Sequence, residues 1–357
     1  MLVPGLGFSL LDAAALAQAY GAGARVGFAP GSADIIAPSG LAATPQEAVR
    51  SAFGFVSFGN QAVFPEFAAL APVLDAVIQR SAGRFMLACL ANPLWGRFVY
   101  QGHLFARGRL LGDAKREFSE HLSGRTAIIP YEAVIQGPAA LARRINTCRE
   151  QGMALALIDA ADETQCNMLA PILAAQALAG GAAWAAKPGS HNPQDLLTGP
   201  IAILSGALDR QSLFQLGAAR EKLPFRQITP AAPDIDSAIA WGAAQTQNFV
   251  ISISAAPEHR GPPALAAAEL LGNIAAGLAA TGLRRFVLAG SDSAAQILRS
   301  LNLDLLTMQD SSGGLPWFRA EQSAQIYNFL LKPGGFGADY LYLGQFEPQI
   351  RLNAAAE

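Results

Sequence analysis

The stretch that decides the fold is RRFVLAGSDSAAQILRS, residues 284–300. Its first half is an apolar run that has the length of a strand and is too short for a typical helix. A glycine and small polar residues follow, and the second half has helical spacing of its apolar residues. This strand–turn–helix unit predicts a buried strand whose carboxyl end leads directly into a helix N-terminus.

The same unit recurs along the chain. Four further apolar runs have strand length: RFMLACLA (84–91), MALALIDA (153–160), PIAILSGA (200–207) and NFVISISA (248–255). Alanine- and leucine-rich stretches with helical spacing follow them, for example PPALAAAELLGNIAAGLAATG (262–282). Apolar strands that alternate with helices are typical of parallel sheets covered on both faces. The sequence therefore predicts an α/β protein with largely parallel sheets.

Length and composition limit the class of protein. The chain has 357 residues, of which 52% are hydrophobic and 15% charged. This balance excludes a disordered chain, which needs low hydrophobicity and high net charge. The net charge of −2 argues against a nucleic-acid-binding protein, because neutralising phosphates requires a basic surface. We expect two domains, residues 1–190 and 200–357, joined by the Pro-, Gly- and Asn-rich segment KPGSHNPQDLLTGP (187–200).

Neither export, nor membrane insertion, nor a protein-bound metal is indicated. The uncharged run 168–186 is interrupted by Pro171, Gln176 and the pair Gly180–Gly181. It therefore predicts a buried helix that ends at the glycine pair rather than a membrane span. The cysteines and histidines are widely spaced, without the spacing of metal ligands. Reduced thiols in a cytoplasmic protein are the expectation.

Three loops in the second half suit a phosphorylated ligand. Each follows an apolar run: Ser205 and Gly206; Gly290, Ser291, Asp292 and Ser293; and Lys332, Gly334, Gly335 and Gly337. Glycines let a backbone approach a ligand closely, and a helix N-terminus attracts phosphate. Ligands of open α/β sheets bind beyond the carboxyl ends of strands. Taken singly, the second loop also fits an ordinary Ser or Asp helix cap, and the third a tight turn.

The segment NPLWGRFVYQGHLFARGRL (92–110) is the candidate acid-binding region. It places Arg97, Gln101 and His103 among aromatic residues and glycines. On one continuous strand Arg97 and His103 would share a face. An arginine beside an imidazole suits a carboxylate or a polyol acid. The alternative is an amphipathic strand with a structural histidine.

Several of these stretches together resemble the four-carbon acid sugar kinase family. The matching segments are GRFVYQGH (96–103), ILSGALDRQSLFQ (203–215), FVLAGSDSA (286–294), GGLPW (313–317) and LLKPGGFGADY (330–340). Their order and separations agree with the family from about residue 95 onward. The resemblance implies a sugar-acid-binding N-terminal domain and an ATP-binding C-terminal domain, with the active site in the cleft between them.

The resemblance also implies roles for residues. Arg97 and His103, with Gln101 and Asn60, would bind the acid, and the three loops would hold ATP with Mg²⁺. Asp12 would orient the acceptor hydroxyl. The implied partners are a small carboxylic acid and a second copy in a homodimer, with neither nucleic acid nor membrane.

The chain departs from the family pattern near its start. The family's opening D-D-F-T-G-A-x-D corresponds here to GLGFSLLDAAA (5–15), which keeps only Asp12. Further along, VSFGNQA (56–62) is a shortened segment that keeps Asn60. Besides an active kinase, two interpretations therefore remain open. One is a silent family member that binds a carboxylic acid or nucleotide without phosphoryl transfer, and the other is an unrelated α/β binding protein.

Overall fold

The chain forms two compact units, which span Met1–Lys187 and Pro188–Glu357. We call them the N-terminal unit and the C-terminal unit. The structure, a computed structural model, describes residues 5–7, 23–27, 35–36, 55–57, 67–92, 96–106, 108–173, 178–180, 197–230, 233–253, 264–312 and 315–344. Both units contain parallel strands alternating with helices, so the predicted α/β class with two largely parallel sheets is confirmed.

The described part of the N-terminal unit contains eleven strands and five α-helices, besides one 3-10 turn at Ala82–Arg84. The strands are β1 (Gly5–Gly7), β2 (Arg25–Gly27), β3 (Ile35–Ile36), β4 (Phe55–Ser57), β5 (Met86–Cys89), β6 (Arg97–Tyr100), β7 (His103–Ala106), β8 (Arg109–Asp113), β9 (Thr126–Ile129), β10 (Leu155–Ile158) and β11 (Leu178–Gly180). The helices are α1 (Phe67–Arg80), α2 (Ala114–His121), α3 (Tyr131–Ile135), α4 (Pro138–Glu150) and α5 (Glu163–Leu173).

Eight of these strands form a parallel sheet in the order β2-β3-β1-β4-β11-β5-β10-β9. β6, β7 and β8 form a separate antiparallel sheet. β5 is buried on both faces: Met86 and Ala88 belong to the core cluster formed with α1 and α2, and Leu87 and Cys89 to the cluster formed with α4 and α5. This two-sided burial explains why its sequence is continuously apolar.

The prediction for the uncharged run 168–186 is wrong. Helix α5 ends at Leu173, and β11 pairs in parallel with both β4 and β5. The run therefore supplies a strand that fills the sheet between two others, because its small apolar residues suit a strand as well as a helix. Among the described residues, no helix is long and apolar enough to cross a membrane.

The C-terminal unit contains seven strands and four α-helices within its described residues, besides one 3-10 turn at Leu341–Leu343. The strands are β12 (Ala202–Ser205), β13 (Phe225–Gln227), β14 (Phe249–Ser252), β15 (Arg285–Ala289), β16 (Leu305–Ser312), β17 (Leu315–Gln322) and β18 (Gln325–Lys332). The helices are α6 (Arg210–Arg220), α7 (Ile235–Ala243), α8 (Ala264–Ala280) and α9 (Ser291–Ser300). Every one of the five apolar runs in the sequence thus contains a strand.

The sheet of the C-terminal unit has the order β13-β14-β12-β15-β18-β17-β16. The first five strands are parallel to one another, and β17 is antiparallel to both of its neighbours, β18 and β16. From β12 the chain passes through α6 to one edge of the sheet, whereas from β15 it passes through α9 toward the other edge. β12 and β15 are thus neighbours at which the winding reverses, and such a point opens a crevice at the carboxyl ends of the strands.

Candidate functional site

Three strands of the C-terminal unit end at the same level of the sheet, and we call this level the common row. Ser205 of β12 is in register with Ala289 of β15, and Ala289 is in register with Lys332 of β18. The N–H of Gly206 donates to the Ala289 carbonyl at 3.3 Å, and the N–H of Gly290 donates to the Lys332 carbonyl at 3.2 Å. The three loops singled out in the sequence therefore begin side by side at the reversal between β12 and β15.

Glycines, which have no side chain, allow these loops to approach one another. A Cβ on Gly206 would overlap the hydroxyl of Ser293 in the next loop. A Cβ on Gly334 would lie 2.8 Å from Oδ2 of Asp209, which is closer than real contacts of this kind. Glycine at both positions thus permits close packing between loops, and a Cβ at either position would displace the end of a neighbouring side chain.

The N-terminus of α9 begins directly at the end of β15. Gly290, with φ of 101°, occupies the N-cap, so the interpretation of a Ser or Asp cap is wrong. Because glycine has no side chain to cap the helix, the N–H groups of its first turn remain suited to an anion. Asp292 is exposed in that turn; partial desolvation raises the pKa of its carboxyl, and the charge of Arg299 opposes the increase.

Lys332, at the end of β18, is completely buried. Its Nζ donates to Oγ of Ser212 at 3.0 Å and to the carbonyl of Pro333 at 3.2 Å, and it lies 5.7 Å from the centroid of the Tyr342 ring. The ammonium thus connects the start of the glycine-rich loop to the first turn of α6. Its charge lies behind the loop.

Asp209 links this ammonium to the helix. Its Oδ1 accepts the N–H of Ser212 at 2.9 Å, which caps α6, and its Oδ2 accepts the Ser212 hydroxyl at 2.7 Å. The neighbouring Tyr342 is fully buried, and burial raises the pKa of its phenol. The hydroxyl of Ser205 opposes that increase by hydrogen bonding, while the charge of Asp209 adds to it.

Two glutamines of α6, which the sequence analysis did not single out, hold the glycine-rich loop. Nε2 of Gln215 donates to the carbonyls of Phe336 at 2.8 Å and Ala338 at 2.9 Å. Nε2 of Gln211 donates to the carbonyl of Gly337 at 3.0 Å and to Oδ1 of Asp339 at 2.9 Å. Their spacing of four residues on one helix was the available signal, since such residues share a face.

The candidate acid-binding segment forms a hairpin. β6 and β7 are joined by Gln101 and Gly102, both with positive φ, 48° and 74°. The prediction of a continuous strand is therefore wrong. Two central residues with positive φ are typical of a type I′ turn, which matches the twist of the paired strands.

This reversal separates Arg97 and His103. Arg97 pairs with Ala106 and is 2% exposed on the inner face, whereas His103 pairs with Tyr100 on the outer face, where its side chain is 43% exposed. The prediction that Arg97 and His103 share a face is wrong because side chains alternate along each strand of the hairpin. Nδ1 of His103 lies 3.0 Å from the carbonyl oxygen of Gln101, and Nε2 lies 4.0 Å from Oδ2 of Asp113.

Asp159, directly after β10, is buried beneath this hairpin. Its carboxylate accepts the backbone N–H groups of Gln101 at 2.6 Å, Gly102 at 3.0 Å and Tyr131 at 3.1 Å. Desolvation raises the pKa of this carboxyl, and the three N–H donors oppose the increase. Asp12 and Asn60, the other candidates of this unit, lie outside the described residues.

Comparison with protein families assigns both units. A family model described as a sugar-binding N-terminal domain matches residues 69–190, and one described as a nucleotide-binding C-terminal domain matches residues 202–341. The chain belongs to the DUF1537 family. Similar members carry the name 3-oxo-tetronate kinase, which confirms the resemblance to four-carbon acid sugar kinases at the level of the family.

Two of these relatives show how far their sequences differ from this chain. The chain is 26% identical over 314 residues to 3-oxo-tetronate kinase of Burkholderia multivorans, covering 75% of this chain and 73% of the relative. It is 27% identical over 309 residues to 3-oxo-tetronate kinase of Pseudomonas fluorescens, covering 74% and 72%.

Solved structures agree in fold. A protein of Salmonella typhimurium described as a putative tRNA synthase superposes with a TM-score of 0.75 at 22% identity, covering 96% of this chain and 98% of the other. A Haemophilus influenzae member of DUF1537 superposes with a TM-score of 0.67 at 19% identity and the same coverage. At these identities the likeness shows the shared fold.

Proposed function

We propose that this protein is an ATP-dependent kinase that phosphorylates a four-carbon sugar acid of the tetronate or 3-oxo-tetronate type. The observation that carries the proposal is the common row on which β12, β15 and β18 end, with their glycine-containing loops side by side. The names of the DUF1537 relatives support the phosphotransfer class and the type of acid.

The residues at this row fit the phosphates of ATP. Gly206, Gly290 and Gly334 leave room for close backbone approach, and the uncapped first turn of α9 attracts negative charge. Lys332 contributes positive charge through the loop behind which it is buried. The same proposed nucleotide site includes Ser205, Ser291, Ser293, Gly335 and Gly337.

Mg²⁺ would accompany the nucleotide, where it neutralises charge on the transferring phosphoryl group. The exposed carboxylate of Asp292, at the first turn of α9, is the side chain of the three loops whose oxygens suit a Mg²⁺-bound water. Phosphoryl transfer depends mainly on positioning and charge neutralisation, so these loops supply the larger part of the proposed chemistry.

The sugar acid would bind to the N-terminal unit. Gln101 is exposed at the hairpin turn and His103 is close beside it, so both are available to the hydroxyls of the acid. Arg97 is buried on the opposite face of the hairpin, so this arrangement does not bring it to an acid held by Gln101 and His103, and its role as partner of the carboxylate stays a prediction. Asn60 is proposed as a further ligand. Asp12 is proposed to orient the acceptor hydroxyl.

The test is turnover together with nucleotide binding. Purified protein is assayed for ADP formation from ATP·Mg²⁺ with 3-oxo-tetronates, erythronates and threonates, and ATP·Mg²⁺ binding is titrated by calorimetry. Gly290→Asp, which places a carboxylate at the row, should abolish ATP binding. Gly282→Asp is the matched control, since Gly282 has a similar φ of 106° against 101° at Gly290 and open space around a Cβ.

Two outcomes are distinguishable. ADP formation that requires one of the acids, lost in the Gly290 variant alone, supports the kinase. Binding of ATP or acid without turnover would replace the kinase with the silent binding protein. Sedimentation of the same preparation tests the proposed homodimer.

A further inference from the structure

Asp159 connects three segments through one buried carboxylate. Oδ2 accepts the N–H groups of Gln101 and Tyr131, and Oδ1 accepts the N–H of Gly102. The side chain is 0% exposed. With both oxygens engaged and no access to solvent, this carboxylate is placed to hold backbone rather than to take a proton from a ligand.

The turn that it holds is conformationally costly. Gln101 has a φ of 48°, in the left-handed region that side chains other than glycine rarely adopt. A Cβ on Gly102 would lie 2.8 Å from both Cδ1 of Ile128 and Cβ of Lys115. Such a turn persists where the surrounding structure imposes it. Asp159 imposes it directly, by binding the N–H groups of both central residues.

The turn also contacts the imidazole ring of His103. Oδ1 of Asp159 accepts the N–H of Gly102, and the carbonyl at the other end of that peptide group, which belongs to Gln101, lies 3.0 Å from Nδ1 of His103. Nε2 of the same ring lies 4.0 Å from Oδ2 of Asp113. The buried carboxylate thus holds the peptide group against which the His103 ring lies.

We propose that Asp159 is a positioning residue for sugar-acid binding, which fixes the Gln101–Gly102 turn and through it the ring of His103. This inference rests on the proposed function. The sugar acid would bind to the exposed side of the turn, and Asp159 would act on its affinity without touching it.

The first experiment is steady-state kinetics of Asp159→Asn. The amide keeps the size of the carboxylate but presents an NH₂ group to one of the backbone N–H donors. The turn therefore loses at least one of the hydrogen bonds that fix it. We expect the KM for the acid to rise roughly tenfold or more, as loss of a hydrogen bond to a charged group predicts, while the KM for ATP stays unchanged. Asp75→Asn is the control, because Asp75 also anchors a turn, through the N–H and hydroxyl of Ser123.

A second variant keeps the proposal testable if Asp159→Asn does not fold. Gly102→Ala disturbs the same turn without altering the carboxylate and should give the same selective rise in the KM for the acid. An unchanged KM for the acid in a folded Asp159→Asn protein would overturn the proposal.

The second experiment separates this inference from the proposed function. The ring nitrogens of His103 are observed by NMR in wild type and Asp159→Asn, with His121 as internal reference. We expect the His103 resonances to shift and those of His121 to remain. Unchanged His103 resonances would overturn the positioning role whatever the activity. If the His103 resonances shift in Asp159→Asn but the wild type turns over no four-carbon acid, the link to His103 stands and the kinase is refuted instead.

Discussion

Nζ of Lys332 lies 3.0 Å from Oγ of Ser212, and both side chains are fully buried where β18 ends and α6 begins. The hydroxyl of Ser212 in turn donates a hydrogen bond to Oδ2 of Asp209. A cation and a carboxylate are thereby joined through one hydroxyl behind the glycine-rich loop. The ammonium is therefore compensated inside the fold and is not exposed to solvent.

Lys332→Met should separate charge from packing. Methionine keeps much of the buried stem, but it leaves the Ser212 hydroxyl and the Pro333 carbonyl without their donor and Asp209 without the nearby cation. Because removing one partner of a buried charged contact destabilises a protein, we expect the unfolding free energy to fall by about 1–3 kcal/mol. ATP affinity should fall roughly tenfold or more, since interactions with charged groups contribute about 1.5–3 kcal/mol. Calorimetry and urea unfolding measure the two effects, with the exposed Lys222→Met as control. Unaltered ATP affinity would show that the buried charge contributes nothing to binding.

Gly334→Ala should destabilise the C-terminal unit. The new Cβ would lie 2.8 Å from Oδ2 of Asp209, so that carboxylate must move and its cap on α6 weakens. The expected loss is about 1 kcal/mol, the usual contribution of an N-cap. Gly217→Ala, inside α6 with open space around its Cβ, should instead stabilise by about 0.5–1 kcal/mol. Urea unfolding distinguishes the signs, and equal effects would refute the crowding.

Gln215→Leu should loosen the glycine-rich loop. The carbonyls of Phe336 and Ala338 lose their donor, at a cost of about 1–3 kcal/mol for a buried group left unsatisfied. We expect faster hydrogen exchange of the loop amides and weaker ATP binding. Gln245→Leu is the control, because that glutamine bonds only locally, to the carbonyl of Trp241. Exchange that stays as slow as in wild type would show that Gln211 holds the loop alone.

The raised pKa of Asp159 sets the sign of a pH effect. The folded protein binds a proton more readily at this carboxyl than the unfolded chain does, where the pKa has its ordinary value of 3.8. The resulting stability is fully present below 3.8 and is lost as pH rises through the folded pKa. The unfolding free energy of wild type minus that of Asp159→Asn should therefore increase as pH falls toward 3.8. Urea unfolding between about pH 4 and 7, run on both proteins, measures the difference, and the opposite slope would contradict it.

The thiols should be unreactive in the native protein. Cys89, Cys148 and Cys166 are free and buried. The hydrogen bond with Cys89 and then desolvation raise the pKa of Cys166, and desolvation raises that of Cys148 despite the nearby charge of Arg144. A thiol kept protonated and inaccessible is a poor nucleophile. Titration with a disulfide reagent should find no fast thiol before unfolding and three after it. A thiol that reacts quickly in buffer would refute their burial.

The strands were predictable where burial on both faces leaves a continuous apolar run, as in β5, β12 and β15. β11 was missed because its small residues suit a strand and a helix equally, and only pairing with two neighbours decides. The hairpin was missed for a different reason. Gln101–Gly102 lacks the strong turn signal of Asn-Gly, and the residue that imposes the turn, Asp159, is distant in sequence.

The three loops at the common row were predictable because each carries its own glycines directly after an apolar strand. The contacts that Lys332 and Gln215 make beneath these loops were not predictable. The sequence pattern favours Lys332 as an exposed phosphate ligand, yet its contact with Ser212 buries it. The hydrogen bond from Gln215 to Phe336 joins segments that no local pattern relates. Such contacts depend on the three-dimensional register of the strands.

The central position of β12 bears on how the C-terminal unit is made. Among the described strands of its sheet it is the first to be synthesised, yet its neighbour β15 comes much later, and β15 pairs on its other side with β18, the last of the described strands. Pairing between distant segments is slow to form and exposes apolar strands until it is complete. A nascent chain that stops short of Lys332 leaves one side of β15 uncovered. This half of the protein therefore completes its core only after β18 has been synthesised, and a chain truncated within β18 would leave a sheet prone to aggregate.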